Sequence, residues 1–179
     1  MMKNMQIRQE EPSDGEAIAE MIRLTYKDVP FSNHREHLMV ERLRASGAYL
    51  PQLTLIAELD GAIAGHIMMT AIQIRGAERD VKALALAPLS VAPMFQRRGV
   101  GGALIQEAHA RARNLGFAAV ILVGITGYYH RFGYGPLDAH GISLPFDVHA
   151  DQRMALELSP RALAGVRGTV EYAPEWLET

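Results

Sequence analysis

Apolar positions in this chain switch between the two-residue period of strands and the roughly 3.6-residue period of helices. Residues 5–8 read as a short first strand, and Pro12 then stands near a helix start. Ala17, Ile18, Met21, Ile22 and Thr25 recur at helical spacing, which predicts an amphipathic first helix. Val29-Pro30-Phe31-Ser32 breaks the pattern. Asn33 is suited to cap a second helix reaching Ser46, in which Leu38, Met39, Arg42 and Leu43 partly follow the period, and Gly47 ends it.

Residues 53–59 and 62–74 are β-rich runs separated by Asp60-Gly61, a dipeptide that supplies the positive φ angles of a tight hairpin turn. A turn over 76–81 leads to an apolar strand across 84–91. A third helix over 103–115 places Leu104, Ala108, Ala112 and Leu115 on one stripe and stops at Gly116. Residues 119–125 read as a further strand, and short strand-like runs at 141–144, 154–158 and 169–172 are punctuated by Pro136, Pro145, Pro160 and Pro174. No repeat or linker interrupts this alternation, so one domain over 1–179 is expected.

Composition narrows the class. The chain is 49% hydrophobic and 21% charged, enough for a substantial α/β core without disordered bias. A net charge of −2 supplies no basic field, so no nucleic-acid partner is expected. The absence of cysteine excludes disulfides, thiolate metal sites and a cysteine nucleophile. His34 and His37 beside Glu36 and Glu41 have His-x-x-His spacing without a further ligand, the pattern of a solvated helix face, so no metal is assigned. No apolar run reaches the roughly 18 residues of a membrane span, and the polar residues 1–11 lack a signal-peptide core. No membrane partner and a cytoplasmic location are the expectation.

Chemistry concentrates at residues 96–102, Gln-Arg-Arg-Gly-Val-Gly-Gly, between the strand over 84–91 and the third helix. Glycines at a helix N-terminus present bare amides at the positive end of the helix dipole, which makes an anion cradle. A nucleoside-triphosphatase loop would continue Gly-Lys-Ser/Thr, but Ala103-Leu104 follows here. A dinucleotide fingerprint would need a third glycine where Leu104 stands.

Gln96-x-x-Gly99-x-Gly101 resembles the cofactor motif of the GNAT acetyltransferase superfamily, Gln/Arg-x-x-Gly-x-Gly/Ala between the fourth strand and third helix. Downstream, Tyr128-Tyr129-His130-Arg131-Phe132-Gly133-Tyr134 resembles that superfamily's tyrosine motif. It is nearest the subgroup with a Tyr-Tyr-x-Arg-Phe-Gly-Phe-like signature, from which Tyr134 departs at the final Phe. That subgroup more often carries Gly-Asp-Pro before the tyrosines, where this chain has Gly124-Ile125-Thr126-Gly127.

The resemblance implies an α/β (α+β) fold: a mixed, mostly antiparallel central sheet flanked by helices and splayed between strands 4 and 5. It further implies an acetyl-CoA-dependent N-acetyltransferase acting on a primary amine of a small molecule or protein, with direct transfer. Coenzyme A pyrophosphate would meet Gln96, Arg97, Arg98, Gly99, Val100, Gly101 and Gly102, chiefly through the amides of 97 to 102. Arg97 and Arg98 are either solvated charges or partners of the cofactor's phosphates. Backbone groups of Leu89 and Val91 would hold the pantetheine arm, the Val91 amide would meet the developing oxyanion, and Tyr129 would protonate the departing thiolate. The strand over 84–91 carries no ionisable side chain and Ser90 cannot serve alone, so Glu58 or His66 on the preceding hairpin is the candidate base, directly or through water.

The acceptor pocket is expected where residues 29–32 meet 146–149, with Phe31 and Phe146 as walls and Asp147 or His149 at the rim. Relatives in the superfamily often dimerise, so a homodimer is also implied. The alternative is a noncatalytic acyl-CoA-binding module, which would keep residues 96–102 and need no Tyr129.

Overall fold

A computed structural model describes residues 4–178. Its strands are β1 (Met5–Gln9), β2 (Thr54–Leu59), β3 (Ala62–Gly76), β4 (Val81–Val91), β5 (Ala119–Val123), β6 (Gly135–Pro136), β7 (Ile142–Ser143), β8 (Arg153–Glu157) and β9 (Gly168–Glu171). The helices are α1 (Gly15–Tyr26), α2 (Glu36–Arg44), α3 (Val100–Asn114), α4 (Thr126–Tyr129) and α5 (Pro174–Leu177). The strands form one mixed sheet in the order β1-β2-β3-β4-β5-β8-β6, and β9 pairs with the far end of β3 and with β7. The β2–β3 connection is the expected tight turn, with Asp60 and Gly61 both at positive φ.

The sheet splits where the resemblance implied it would. Parallel pairing of β4 with β5 is confined to Leu84↔Val120 and Ala85↔Ile121. Immediately beyond, β3 and β4 shift register: Met69 pairs with Leu86 but Ile67 pairs with Leu89, so β4 carries one extra residue. A bulge bends its strand, and this one lies at the start of the β4 segment that parts from β5.

Two apolar layers cover the sheet near the split. One contains Leu55, Ile67, Leu84 and the α3 residues Leu104, Ile105, Ala108 and Ala112; the other joins Ile18 and Ile22 of α1 and Leu43 of α2 to Ile56 and Met68. The α3 stripe matches the periodic reading except at Leu115, which lies past the helix end and is 46% exposed.

Three boundaries differ from the pattern. Helix α2 begins at Glu36 rather than just after Asn33, because His34 takes φ +59 and Asn33 accepts the Arg35 amide at 3.0 Å in a local turn. Strand β5 ends at Val123 because the Gly124 amide turns to the Gln152 carbonyl and Ile125 is already the N-cap of α4. Gly135–Pro136 forms a two-residue strand on the outer edge beside β8, where a proline without an N–H is tolerated.

Candidate active site

The split opens into a cleft of about 1060 Å³. Its walls come from the end of α1, the end of β4, the loop entering α3, and the β5–α4 connection.

Ladder geometry orients the β4 wall. The Ala92 amide donates to the Ala64 carbonyl at 2.9 Å, which makes that a hydrogen-bonded antiparallel position. Alternation then places Gly65↔Val91 and Ile67↔Leu89 in non-hydrogen-bonded positions, so the Leu89 and Val91 backbone groups point away from β3. The carbonyls bear this out: Tyr26 donates its hydroxyl to Leu89 O at 3.1 Å, and Thr25 Oγ1 and Gln96 Nε2 donate to Val91 O at 3.2 and 3.1 Å. The parted β5 leaves the two amides without a strand partner.

The second wall is the α3 entrance. Arg97 and Gly99 both have positive φ, +59 and +82, and the Ala103 amide is the first to close a helical bond, onto Gly99 O. Amides of Val100, Gly101 and Gly102 therefore stand unpaired at the helix start. Holding Arg97 in the left-handed region carries a backbone cost of about 1–2 kcal/mol, which the surrounding loop has to offset. Arg97 lines the cleft, whereas the Arg98 guanidinium lies over the Phe95 ring at 5.4 Å. The Val100 side chain is core, leaving only its backbone for the cleft. Gln96 ties the loop to the end of β4. Gly101 has a packing duty that its motif position did not reveal: a Cβ there would overlap the Tyr128 hydroxyl.

The third wall carries the tyrosines. Tyr129 is wedged edge-on between Tyr128 and Tyr134, with ring centroids 5.1 and 5.6 Å away. Tyr134, the departure from the usual Phe, is buried and bonded through its hydroxyl to His109 Nε2 at 2.8 Å. Burial first, then nearby Tyr26 and Tyr128, push the Tyr129 hydroxyl well above the ordinary phenol range. Burial likewise pushes Tyr26 up to about 12. Among the described residues no hydrogen-bond partner satisfies the Tyr129 hydroxyl, unlike those of Tyr26, Tyr49 and Tyr134.

Neither residue expected as a base reaches the cleft. Glu58 faces the β1 edge, where its Oε1 accepts from Arg8 at 2.8 and 3.2 Å. His66 is 0% exposed on the α1–α2 face of the sheet, with Nε2 3.2 Å from Glu10 Oε2. The expected acceptor walls are also only half present. Phe31 lines the cleft and is 77% exposed, but Phe146 packs on Tyr172 at 5.4 Å in a different core cluster. Asp147 and His149 do not line the cleft. Tyr26 and Thr25 are the site residues that sequence reasoning missed; helical periodicity alone assigned Thr25 to the packed face.

A mixed sheet whose parallel pair parts beside a helix N-terminus defines a GNAT-type fold. Comparison with known proteins agrees. Residues 6–137 match the family model described as an acetyltransferase (GNAT) domain. The uncharacterized N-acetyltransferase YjhQ of Escherichia coli K12 is 30% identical over 141 residues, 75% of this chain and 78% of that one. Its uncharacterized N-acetyltransferase YhbS is 29% identical over 176 residues, 94% and 96% of the two chains. The crystal structure of Escherichia coli YhbS in complex with CoA superposes with TM-score 0.88 at 26% identity, over 99% of this chain and 94% of that one. A GNAT family acetyltransferase from Brucella melitensis, in complex with acetyl-CoA, gives TM-score 0.77 at 30% identity over 98% and 99%. The chain belongs to the GNAT acetyltransferase family.

Proposed function

We propose that this chain transfers the acetyl group of acetyl-CoA directly to a primary amine carried by a small molecule or a protein. The observation that carries the reading is the meeting, in one cleft, of three unsatisfied donor sets: the α3 amides, the Leu89 and Val91 amides, and the Tyr129 hydroxyl. Each matches a different part of the cosubstrate, and the CoA and acetyl-CoA bound in the two solved relatives support the assignment.

In this reading the amides of residues 97–102 hold the pyrophosphate with help from the helix dipole, and Arg97 adds a charge-assisted contact. The Leu89 and Val91 amides hold the pantetheine arm, and the Val91 amide receives the negative charge that develops on the acetyl oxygen. Acetyl-CoA supplies the thioester. Tyr129 keeps its proton throughout the working pH range and delivers it to the departing sulfur, then recovers one from the nitrogen.

Calorimetry with acetyl-CoA, combined with free-thiol release over a panel of primary amines, tests the assignment. Tyr129→Phe is expected to lower turnover by roughly 10²-fold or more while acetyl-CoA affinity stays within about threefold. Gly99→Glu is expected to abolish measurable binding, since it adds a side chain at positive φ and a like charge beside the phosphates. Saturable acetyl-CoA binding with no thiol release for any amine, and no effect of Tyr129→Phe, would instead establish the noncatalytic acyl-CoA module. A wild type that folds but binds no acetyl-CoA would defeat both readings.

A further inference from the structure

Two buried polar atoms without a hydrogen-bond partner among the described residues belong to side chains paired across β3 and β4, next to the β4 wall of the cleft. His66 and Ser90 are directly paired across β3 and β4, so their side chains share the α1–α2 face of the sheet. Both residues are 0% exposed, and His66 Nδ1 and Ser90 Oγ are both buried without a hydrogen-bond partner. Each such group carries a desolvation cost unless it is met, and a water between the two meets both.

The surroundings fix what each atom can do. Glu10 is clamped by Arg44 through two 2.8 Å bonds and also receives the Tyr49 hydroxyl at 2.9 Å, so it is an ionised acceptor. His66 Nε2 must therefore carry the proton it shares with Glu10, and the neutral ring keeps its lone pair on the unpartnered Nδ1. At the other end, the Tyr26 hydroxyl lies beside Ser90 and lines the cleft. The groups facing this path are thus Tyr26 from α1, Glu36 and Arg44 from α2, Tyr49 from the α2–β2 connection, Glu10 from the end of β1, and Tyr129 across the cleft from Tyr26. A carboxylate orienting an imidazole whose other nitrogen faces a hydroxyl is the arrangement that accepts protons in hydrolase triads.

We infer that Tyr26, Ser90 and His66, completed by one buried water between Ser90 Oγ and His66 Nδ1, form a relay that takes the proton of the incoming ammonium away from the cleft. The inference rests on the acetyltransferase reading given above. The ammonium gives one proton to the Tyr26 oxygen as the Tyr26 hydroxyl turns its own proton from Leu89 O to Ser90 Oγ, and Ser90 and then the water each pass one inward, leaving a neutral amine and an imidazolium facing Glu10. The amine nitrogen forms the C–N bond as the C–S bond breaks. Sulfur takes the Tyr129 proton, Tyr129 takes the proton shed by nitrogen, and the imidazolium proton returns outward once the amide has left. One ammonium proton is released per turnover, and no other reactant is consumed. His66 thus serves as the base through Ser90 rather than by reaching the substrate, which explains how a cleft lined by no carboxylate deprotonates an amine.

Ser90→Ala, Ser90→Thr and His66→Gln test it. Ser90→Ala should lower kcat about 10- to 100-fold with KM for acetyl-CoA and its calorimetric Kd within twofold, and Ser90→Thr, which keeps the hydroxyl, should recover most of the loss. The acid limb of the wild-type kcat/KM profile should fall below the ordinary imidazole pKa of 6.5, because burial disfavours the imidazolium, and His66→Gln should abolish that limb. In the protein without acetyl-CoA, 15N-histidine spectra should show His66 protonated at Nε2 with a hydrogen-bonded Nδ1 whose resonance moves in Ser90→Ala. Wild-type kcat and pH profile in folded Ser90→Ala, or a His66 Nδ1 resonance indifferent to that substitution, would overturn the relay while leaving the acetyltransferase reading intact. If His66→Gln fails to fold, the Ser90 pair decides alone.

Discussion

Gly124 is where a single methyl group should do the most measurable harm to the proposed chemistry. A Cβ at this position would lie 2.5 Å from Cε2 and 3.0 Å from Cδ2 of Tyr129, and 3.2 Å from Cδ1 of Leu122. Unstrained carbon contacts need about 3.5–4.0 Å, so the Tyr129 ring must retreat by about 1 Å. It has little room to do so, because Tyr128 and Tyr134 brace it edge-on. Gly124→Ala is therefore expected to cost about 1–3 kcal/mol of stability through overpacking. Displacing a proton donor by 1 Å is expected to cut turnover up to about 10²-fold. The α3 and β4 amides are untouched, so calorimetric affinity for acetyl-CoA should change by less than about threefold. In the double variant with Tyr129→Phe, turnover should fall no further than in Tyr129→Phe alone, since both substitutions remove the same proton transfer. Wild-type turnover by folded Gly124→Ala, or a double variant showing the product of the two losses, would refute the claim that Gly124 acts by placing Tyr129.

Arg97→Ala should weaken acetyl-CoA binding about tenfold at low salt and flatten its salt dependence, whereas Arg98→Ala, whose guanidinium lies on Phe95, should leave both nearly unchanged in the same titrations. Gly101→Ala should lower thermal stability and acetyl-CoA affinity together, because the new methyl displaces the Tyr128 hydroxyl from the α3 entrance. Burial lowers His109 from 6.5 to about 4. Its folded pKa lies below the unfolded one, so the neutral ring contributes stability above about pH 6.5 that is lost as pH falls through about 4. That shift corresponds to about 3 kcal/mol, and urea unfolding of His109→Gln across that window should show a correspondingly shallower acid loss.

The sequence was most legible where function constrains backbone conformation. Gln96 to Gly101 could be read because positive φ and close approach demand particular residues, and the tyrosine motif because ring packing demands aromatics. Leu89 and Val91 could be placed only by resemblance, since the contribution proposed for them is an amide that any residue supplies. Glu58 and His66 could not be located relative to the cleft for a different reason. A strand's period of two says that Glu58 and His66 occupy particular faces but not which face carries the cleft, and Arg8 and Glu10, which engage them, are distant in sequence. Phe146 was misread similarly, because nothing local announces its packing on Tyr172, just past the end of β9.

On the proposed relay, the same split that creates the cleft also removes the need for a carboxylate there. Parting β4 from β5 strips Leu89 and Val91 of strand partners and leaves donors facing the cleft, where the proposed transfer develops negative charge, but it leaves Ser90, between them in sequence, pointing to the opposite face. On that face β4 is still paired to β3, and β3 delivers His66 across from Ser90. One bulged strand can therefore present hydrogen-bond donors to the thioester with alternate residues and, with the residue between, connect the cleft to a buried imidazole. A β4 that stayed paired to β5 would bury both amides in the ladder, and a β4 that parted from β3 as well would lose the imidazole. The one-sided split satisfies both demands, and it predicts that substitutions closing the bulge at Pro88 would cost acetyl-CoA affinity and the Ser90-dependent pH limb together.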